Sequence, residues 1–289
     1  MSSLLGKMNR LIIATMLIFA GVSATGCVDG QTPREAPAGA EVPLPASRRA
    51  GKETRDAGVP AGVRALTEAY PDFFDRNSFK DNTLTTKDGT RLTWDDGREK
   101  DFVGRLDDCD IEDMFVGRYY VPDGEPAYLS DVGRGRNDKL FKTMYGSSAA
   151  EVTRNLVNVK WADGKTVRFT RVNGAADSLQ AVARELSGHP ELQKYLPCSG
   201  TFYWRKVRGA DRQSAHSYGI AIDIAVPSSD YWLWKNPRAG ETDHIAYANR
   251  IPRQIVEIFQ RHGFIWGGAW YHYDTMHFEF RPELLAYAK

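Results

Sequence analysis

Residues 220–226 read Ile-Ala-Ile-Asp-Ile-Ala-Val. Apolar residues in this pattern specify a strand that is largely buried. A carboxylate inside such a strand is costly unless it is paired, hydrogen-bonded or bound to a metal. Asp223 therefore constrains the whole chain, because the fold must bring it a partner. His216 lies seven residues earlier, in a Ser-containing loop that ends at Gly219, where the backbone can bend close to an ion. Taken alone, this segment fits a satisfied core Asp beside a surface His equally well.

A second segment changes that balance. Residues 266–279 read Trp-Gly-Gly-Ala-Trp-Tyr-His-Tyr-Asp-Thr-Met-His-Phe-Glu, which sets polar ligand types among bulky apolar residues. A strand over 277–280 would project His277 and Glu279 to one face, with Asp274 in the turn leading into it. Two imidazoles and a carboxylate can form a three-ligand metal site with a fourth position open to water. A further carboxylate beside it can accept and return a proton.

Composition narrows the classes. The chain has 289 residues, enough for one or two domains. A hydrophobic fraction of 42% and a charged fraction of 26% are ordinary for a soluble globular protein. The net charge of +1 gives no bulk attraction to nucleic acid or anionic membranes, so no nucleic-acid partner is expected. Seven Trp and 13 Tyr can fill a core or line a groove that grips an extended polymer.

Residues 1–26 read as a secretory signal. Lys7 and Arg10 precede an uncharged run over 11–24, which is short for a membrane span. Ala24-Thr25-Gly26-Cys27 resembles a bacterial lipoprotein cleavage site, with Cys27 lipidated as the mature N-terminus and anchoring the protein to the membrane. An ordinary signal cut near Ala24 is the alternative, and either one exports the protein. In an oxidising compartment the remaining pair, Cys109 and Cys198, is a candidate disulfide worth about 4 kcal/mol at most. Two buried free thiols are the other reading.

Residues 27–62 hold five prolines among small and charged residues, and read as a tether. From 63 the composition turns globular. Hairpins are expected over 83–94 around Asp88-Gly89 and over 155–171 around Asp163-Gly164. The acidic stretch 106–114 lacks the glycine and ligand spacing of a calcium loop. A helix capped at Asp177 or Ser178 should stop at Gly188. Residues 200–207 alternate as a strand that carries Arg205 near its end, and a helix should begin near Ile251 and end at Gly263.

The two central segments resemble the zinc D-Ala-D-Ala carboxypeptidase and L-Ala-D-Glu endopeptidase family, the LAS peptidases of bacterial cell walls and phage endolysins. Ser214-x-His216-x-x-Gly219-x-Ala221-x-Asp223, the Trp-Gly-Gly stretch and Asp274-x-x-His277-Phe278-Glu279 carry the resemblance, over roughly 195–285. It implies an α+β fold: a small antiparallel sheet with flanking helices in a peptidase core at 191–289. Residues 63–190 would be an N-terminal α+β elaboration.

The resemblance further implies that His216, Asp223 and His277 bind one Zn²⁺ and that Asp274 is the catalytic carboxylate. An upstream arginine would stabilise the oxyanion, for which Arg205 is the choice and Arg212 the runner-up. Glu279 and Ser214 read as supports behind the ligands. Trp266, Trp270 and Tyr218 would wall a groove or pack in the core, and His272 would be a groove or surface residue. The implied partner is the peptidoglycan stem peptide. The implied reaction is D,D-carboxypeptidase or L-Ala-D-Glu-type endopeptidase hydrolysis, and a non-catalytic wall-binding lipoprotein is the alternative.

Overall fold

Asp223 finds its partner across a sheet. In a computed structural model, which describes residues 58–289 apart from Arg208, a four-stranded antiparallel sheet has the order β6-β7-β9-β8. The strands of the chain are β1 Phe79–Lys80, β2 Thr83–Thr85, β3 Arg91–Thr93, β4 Leu156–Lys160, β5 Thr166–Thr170, β6 Cys198–Gly200, β7 Ala221–Ile224, β8 Phe264–Trp266 and β9 His277–Phe280. The helices are α1 Ala61–Ala69, α2 Phe102–Asp107, α3 Asp138–Tyr145, α4 Ala149–Arg154, α5 Ala175–Ser187, α6 Trp232–Lys235, α7 Arg253–Arg261 and α8 Pro282–Ala288. This is the mixed α+β class, with small antiparallel sheets and flanking helices. The expected signal, Cys27 and most of the expected tether lie outside the described residues. No helix among the described residues is long and apolar enough to cross a membrane.

Register makes the sheet two-sided. Asp223 pairs with His277 and Ala221 with Glu279, so the polar residues share one face. Ile222 and Phe278 pair on the other face, where Phe278 stacks on Phe259 of α7 with ring centroids 3.9 Å apart. Helix α7 buries Ile255, Val256, Ile258 and Phe259 against this side, and Pro252 precedes its first turn. The larger of two hydrophobic clusters among the described residues runs from Val63 to Leu284, drawing on both sides of residue 190, and a smaller one gathers Trp232, Ile245, Tyr271 and Tyr273. Helix α1 lies against α8.

Both hairpins form as the sequence predicts, β2–β3 and β4–β5, with Gly89 and Gly164 at positive φ in their turns. Helix α1 starts at Ala61, just before the expected globular boundary. Helix α5 starts at Ala175, earlier than Asp177, because Gly174 in the left-handed region ends a preceding turn.

The expected strand over 200–207 is only a β6 end at Gly200. Beyond it, the main chain is stitched to the turn Ala215–Tyr218 instead. Tyr203 N–H donates to His216 O (3.3 Å), Arg205 N–H to Ser217 Oγ (2.9 Å) and Ser214 N–H to Arg205 O (3.1 Å). The expected disulfide is absent, since Cys109 and Cys198 are free thiols. Each is engaged locally: Cys109 Sγ donates to Asp110 O, and Cys198 pairs with Ile224 in the sheet. Burial pushes the Cys109 thiol up to about 12 and the Cys198 thiol up to about 11, so both stay protonated at neutral pH.

Candidate metal centre

Two turns and two strands bring the site together. His216 sits in the short turn Ala215–Tyr218, which ends at Gly219 with φ +67°. A Cβ at Gly219 would meet Leu156 Cδ2 at 2.5 Å, so only glycine both takes this conformation and fits. His216 Nδ1–H donates to Thr201 O (2.7 Å), which fixes the tautomer and leaves Nε2 facing Asp223 Oδ1 at 3.2 Å. His277 Nδ1 approaches the same Asp223 oxygen at 3.0 Å from the facing strand. The donor atoms of His216, Asp223 and His277 all lie within 4.8 Å of one another. Two imidazole nitrogens and a carboxylate oxygen converging on one point fit a divalent transition ion.

Behind His277, its Nε2–H points to Glu279 Oε2 at 3.3 Å, and Glu279 is fully buried. Burial opposes charge on His277, yet the hydrogen bonds to Asp223 and Glu279 outweigh it and raise the imidazole to about 10. Burial likewise opposes ionisation of Asp223, but the His216 and His277 rings hold it well below the usual carboxylate range.

Asp274 precedes β9 in the turn that the Trp266-Gly267-Gly268 stretch shapes. Asp274 N–H donates to Gly267 O (3.0 Å), and a Cβ at Gly267 would lie 2.6 Å from Asp274 O. Asp274 Oδ1 is buried with no hydrogen-bond partner among the described residues. Burial, reinforced by the Asp223 charge and partly offset by His277 and His216, pushes this carboxyl up to about 7.

These groups line a cleft of about 510 Å³, which also takes in Ser214, Arg205, Trp270 and His272. Trp270 walls it, with its ring 5.7 Å from that of His277. Arg205 is exposed there, and its side chain has no carboxylate partner among the described residues, bonding only to Lys206 O (3.3 Å). Arg212 also faces the cleft but is tied to Asp107 (2.5 Å) and Glu241 (3.5 Å). Ser214 is buried at the start of the His216 turn.

Two expected groove residues are elsewhere. Tyr218 is fully buried among Phe141 and Tyr145, with its hydroxyl donating to Asp138 (3.3 Å). Trp266 is buried and donates to Thr275 O (2.9 Å), bracing the turn rather than lining the cleft. In both cases the apolar ring packs against the body of the fold.

Sequence reasoning passed over several contributors. Ser217 Oγ stitches the turn to Arg205, and Gln213 donates to it (2.8 Å). His272 lines the cleft, one of its two expected places, but is buried there, with Nδ1 held by Asp131 Oδ2 at 2.6 Å. Asp131, Glu241 and His272 form a second cluster of ligand types. That cluster already contains a cation, because Arg134 Nη1 donates to Asp131 and to Glu241, both at 2.7 Å. No motif spacing links these residues, so only the fold reveals them.

A His-Asp-His cluster beside a carboxylate with one unpartnered oxygen sets ligand types next to a proton acceptor, as in a candidate hydrolase site. Residues 208–280 match the family model described as D-alanyl-D-alanine carboxypeptidase. The resemblance carried by the two motifs is thus shown over this stretch, and the family is one of peptidases. No curated protein matches the chain.

Proposed function

We propose that this protein is an exported zinc metallopeptidase that hydrolyses peptide bonds in the stem peptides of peptidoglycan. One observation carries the reading: three donor atoms of types that zinc accepts converge in a cleft, beside a buried carboxylate oxygen that lacks a partner. His216 Nε2, Asp223 Oδ1 and His277 Nδ1 would hold the ion. When bound, zinc supplies Lewis acidity toward the amide carbonyl and lowers the pKa of water toward ~7.

The chain's own groups do the rest. Asp274 accepts a proton from the attacking water at Oδ1 and returns it to the leaving amine. Its raised pKa suits that exchange near neutrality, and a cation at the triad draws it downward. Arg205, exposed in the cleft and free of an internal acid, offers positive charge to the developing oxyanion. Trp270 walls the cleft against solvent. The matched family supports a carboxypeptidase-type substrate. D-Ala-D-Ala and L-Ala-D-Glu bonds are the two candidates. The signal over 1–26 and a lipid on Cys27 would hold the enzyme at the cell envelope, with 27–62 giving it reach.

Asp274→Asn tests the reading. The variant is expected to keep its zinc while losing about 10²–10⁴-fold of its hydrolysis of purified sacculi. Digestion at the parental rate would remove Asp274 from the chemistry. Mass analysis of the products from defined muropeptides then names the bond that is cut.

A further inference from the structure

Arg136 lies in a loop outside the stretch that matches the family, yet it reaches the back of the metal centre. Its Nη1 donates to Glu279 Oε2 at 3.0 Å. That oxygen is the one His277 Nε2 points to at 3.3 Å. The other oxygen of Glu279, Oε1, accepts from Arg281 Nη1 at 3.0 Å. Arg281 is shared, since its Nε also donates to Glu283. Arg136 and Arg281 are 8% and 0% exposed, and Glu279 is 0% exposed, so little solvent screens the group.

The same loop grips the neighbouring turn. Tyr271 N–H donates to Ser130 O (3.0 Å), His272 N–H to Asp131 Oδ1 (3.0 Å) and Trp270 Nε1–H to Val132 O (2.8 Å). Residues 130–136 therefore hold the wall of the cleft and the carboxylate behind one ligand together. A ligand imidazole needs its far N–H fixed to present its other nitrogen, and partners in that position tune metal affinity.

We propose that Arg136 is a positioning residue for the metal centre. It holds Glu279 Oε2 aimed at His277 Nε2, so that His277 Nδ1 faces the ion. The elaboration N-terminal to the matched stretch thereby completes the site. This inference rests on the zinc reading above, and its test separates the two.

Zinc dissociation constants would be measured by chelator competition at pH 7.5, with urea midpoints of the metal-free proteins alongside. The parent should bind zinc and His216→Ala should not; if the parent binds none, the zinc reading itself fails. Arg136→Gln should weaken zinc about 10–100-fold, and Arg136→Lys should recover part of that loss. Because Arg136 acts through Glu279, the double variant Arg136→Gln/Glu279→Gln should lose no more than Glu279→Gln alone. Asp131→Asn, in the same loop but on His272, should shift zinc affinity less than threefold and so register mere loosening of the loop. Zinc binding by Arg136→Gln as tight as or tighter than the parent's overturns the proposal. So does a loss that adds fully to that of Glu279→Gln. If Arg136→Gln fails to fold, Arg136→Lys against Glu279→Gln decides in the same way.

Discussion

The molecule holds two clusters built from the same side-chain types, His216–Asp223–His277 and His272–Asp131–Glu241. His272 lines the same cleft as the first cluster, but the two differ in what sits among their oxygens. In the second cluster the Arg134 guanidinium already bridges the two carboxylates, and Arg212 reaches Glu241 as well. Burial opposes ionisation of Asp131 and Glu241, yet Arg134 holds both below the usual carboxylate range. In the first cluster no arginine or lysine is bonded to Asp223 among the described residues, and its charge is met only by the two imidazoles. Ligand types alone do not make a metal site. A site is left for an ion where the fold withholds its own cation.

The sharpest test is occupancy. His216→Ala is expected to abolish zinc binding, whereas His272→Ala should retain about one zinc per chain, read by elemental analysis after dialysis. Zinc lost equally in both variants would mean that the clusters are not distinct. The next effect is on stability. Arg134→Gln strands the buried Asp131, while the partly exposed Glu241 keeps Arg212, so destabilisation of roughly 3 kcal/mol is expected, measured by urea unfolding of the metal-free protein. Its zinc affinity should stay close to the parent's. A variant of parental stability would show that the guanidinium is not the cation that neutralises the second cluster.

The two clusters also mark how far the sequence could be read. In the first, Asp223 was marked because it interrupts an apolar strand and His277 because it would share a face with Glu279, and the family resemblance joined them to His216 as a ligand set. Both are consequences of the two-residue period of a strand, and register delivers them directly. The Asp-Gly hairpins were legible for an equally local reason, since their turns need a positive φ. Arg134, Arg136 and Asp131 were not, because more than a hundred residues separate each from its partner across the sheet or cleft. Their loop, residues 131–137, is rich in Gly and Arg, a composition that marks a loop and no more.

Where sequence and structure part, neighbouring groups decide. For Tyr218 and Trp266 the sequence leaves groove and core packing both open, and both rings went to the core. Residues 202–205 alternate as a strand would, yet the Ser217 hydroxyl and the His216 carbonyl took their main-chain partners. The cysteine pair was read from the expected compartment, whereas both thiols are free, Cys109 Sγ bonding to Asp110 O and the Cys198 main chain pairing with Ile224.

The smallest expected effect concerns protons. With no ion bound, the Asp223 and Glu279 carboxylates outweigh burial and keep His277 charged up to about pH 10. Because the folded pKa is raised, the stability this gives is complete below the unfolded value near ~6.5 and is lost as pH rises through about 10. An ion at the triad needs the neutral imidazole, so binding must expel that proton. Zinc affinity should therefore rise at least about tenfold per pH unit between pH 6.5 and 8, and uptake should release at least about one proton per chain in a weakly buffered titration, with Asp274, raised to about 7, adding to both near neutrality. Glu279→Gln removes one of the two carboxylates that hold the proton, so its slope should flatten toward neutrality. The Arg134 cluster lies outside this linkage, and Arg134→Gln should leave the slope unchanged. A parental affinity that is flat over this range would mean that His277 is already neutral, and that the contrast between the clusters lies in geometry rather than charge.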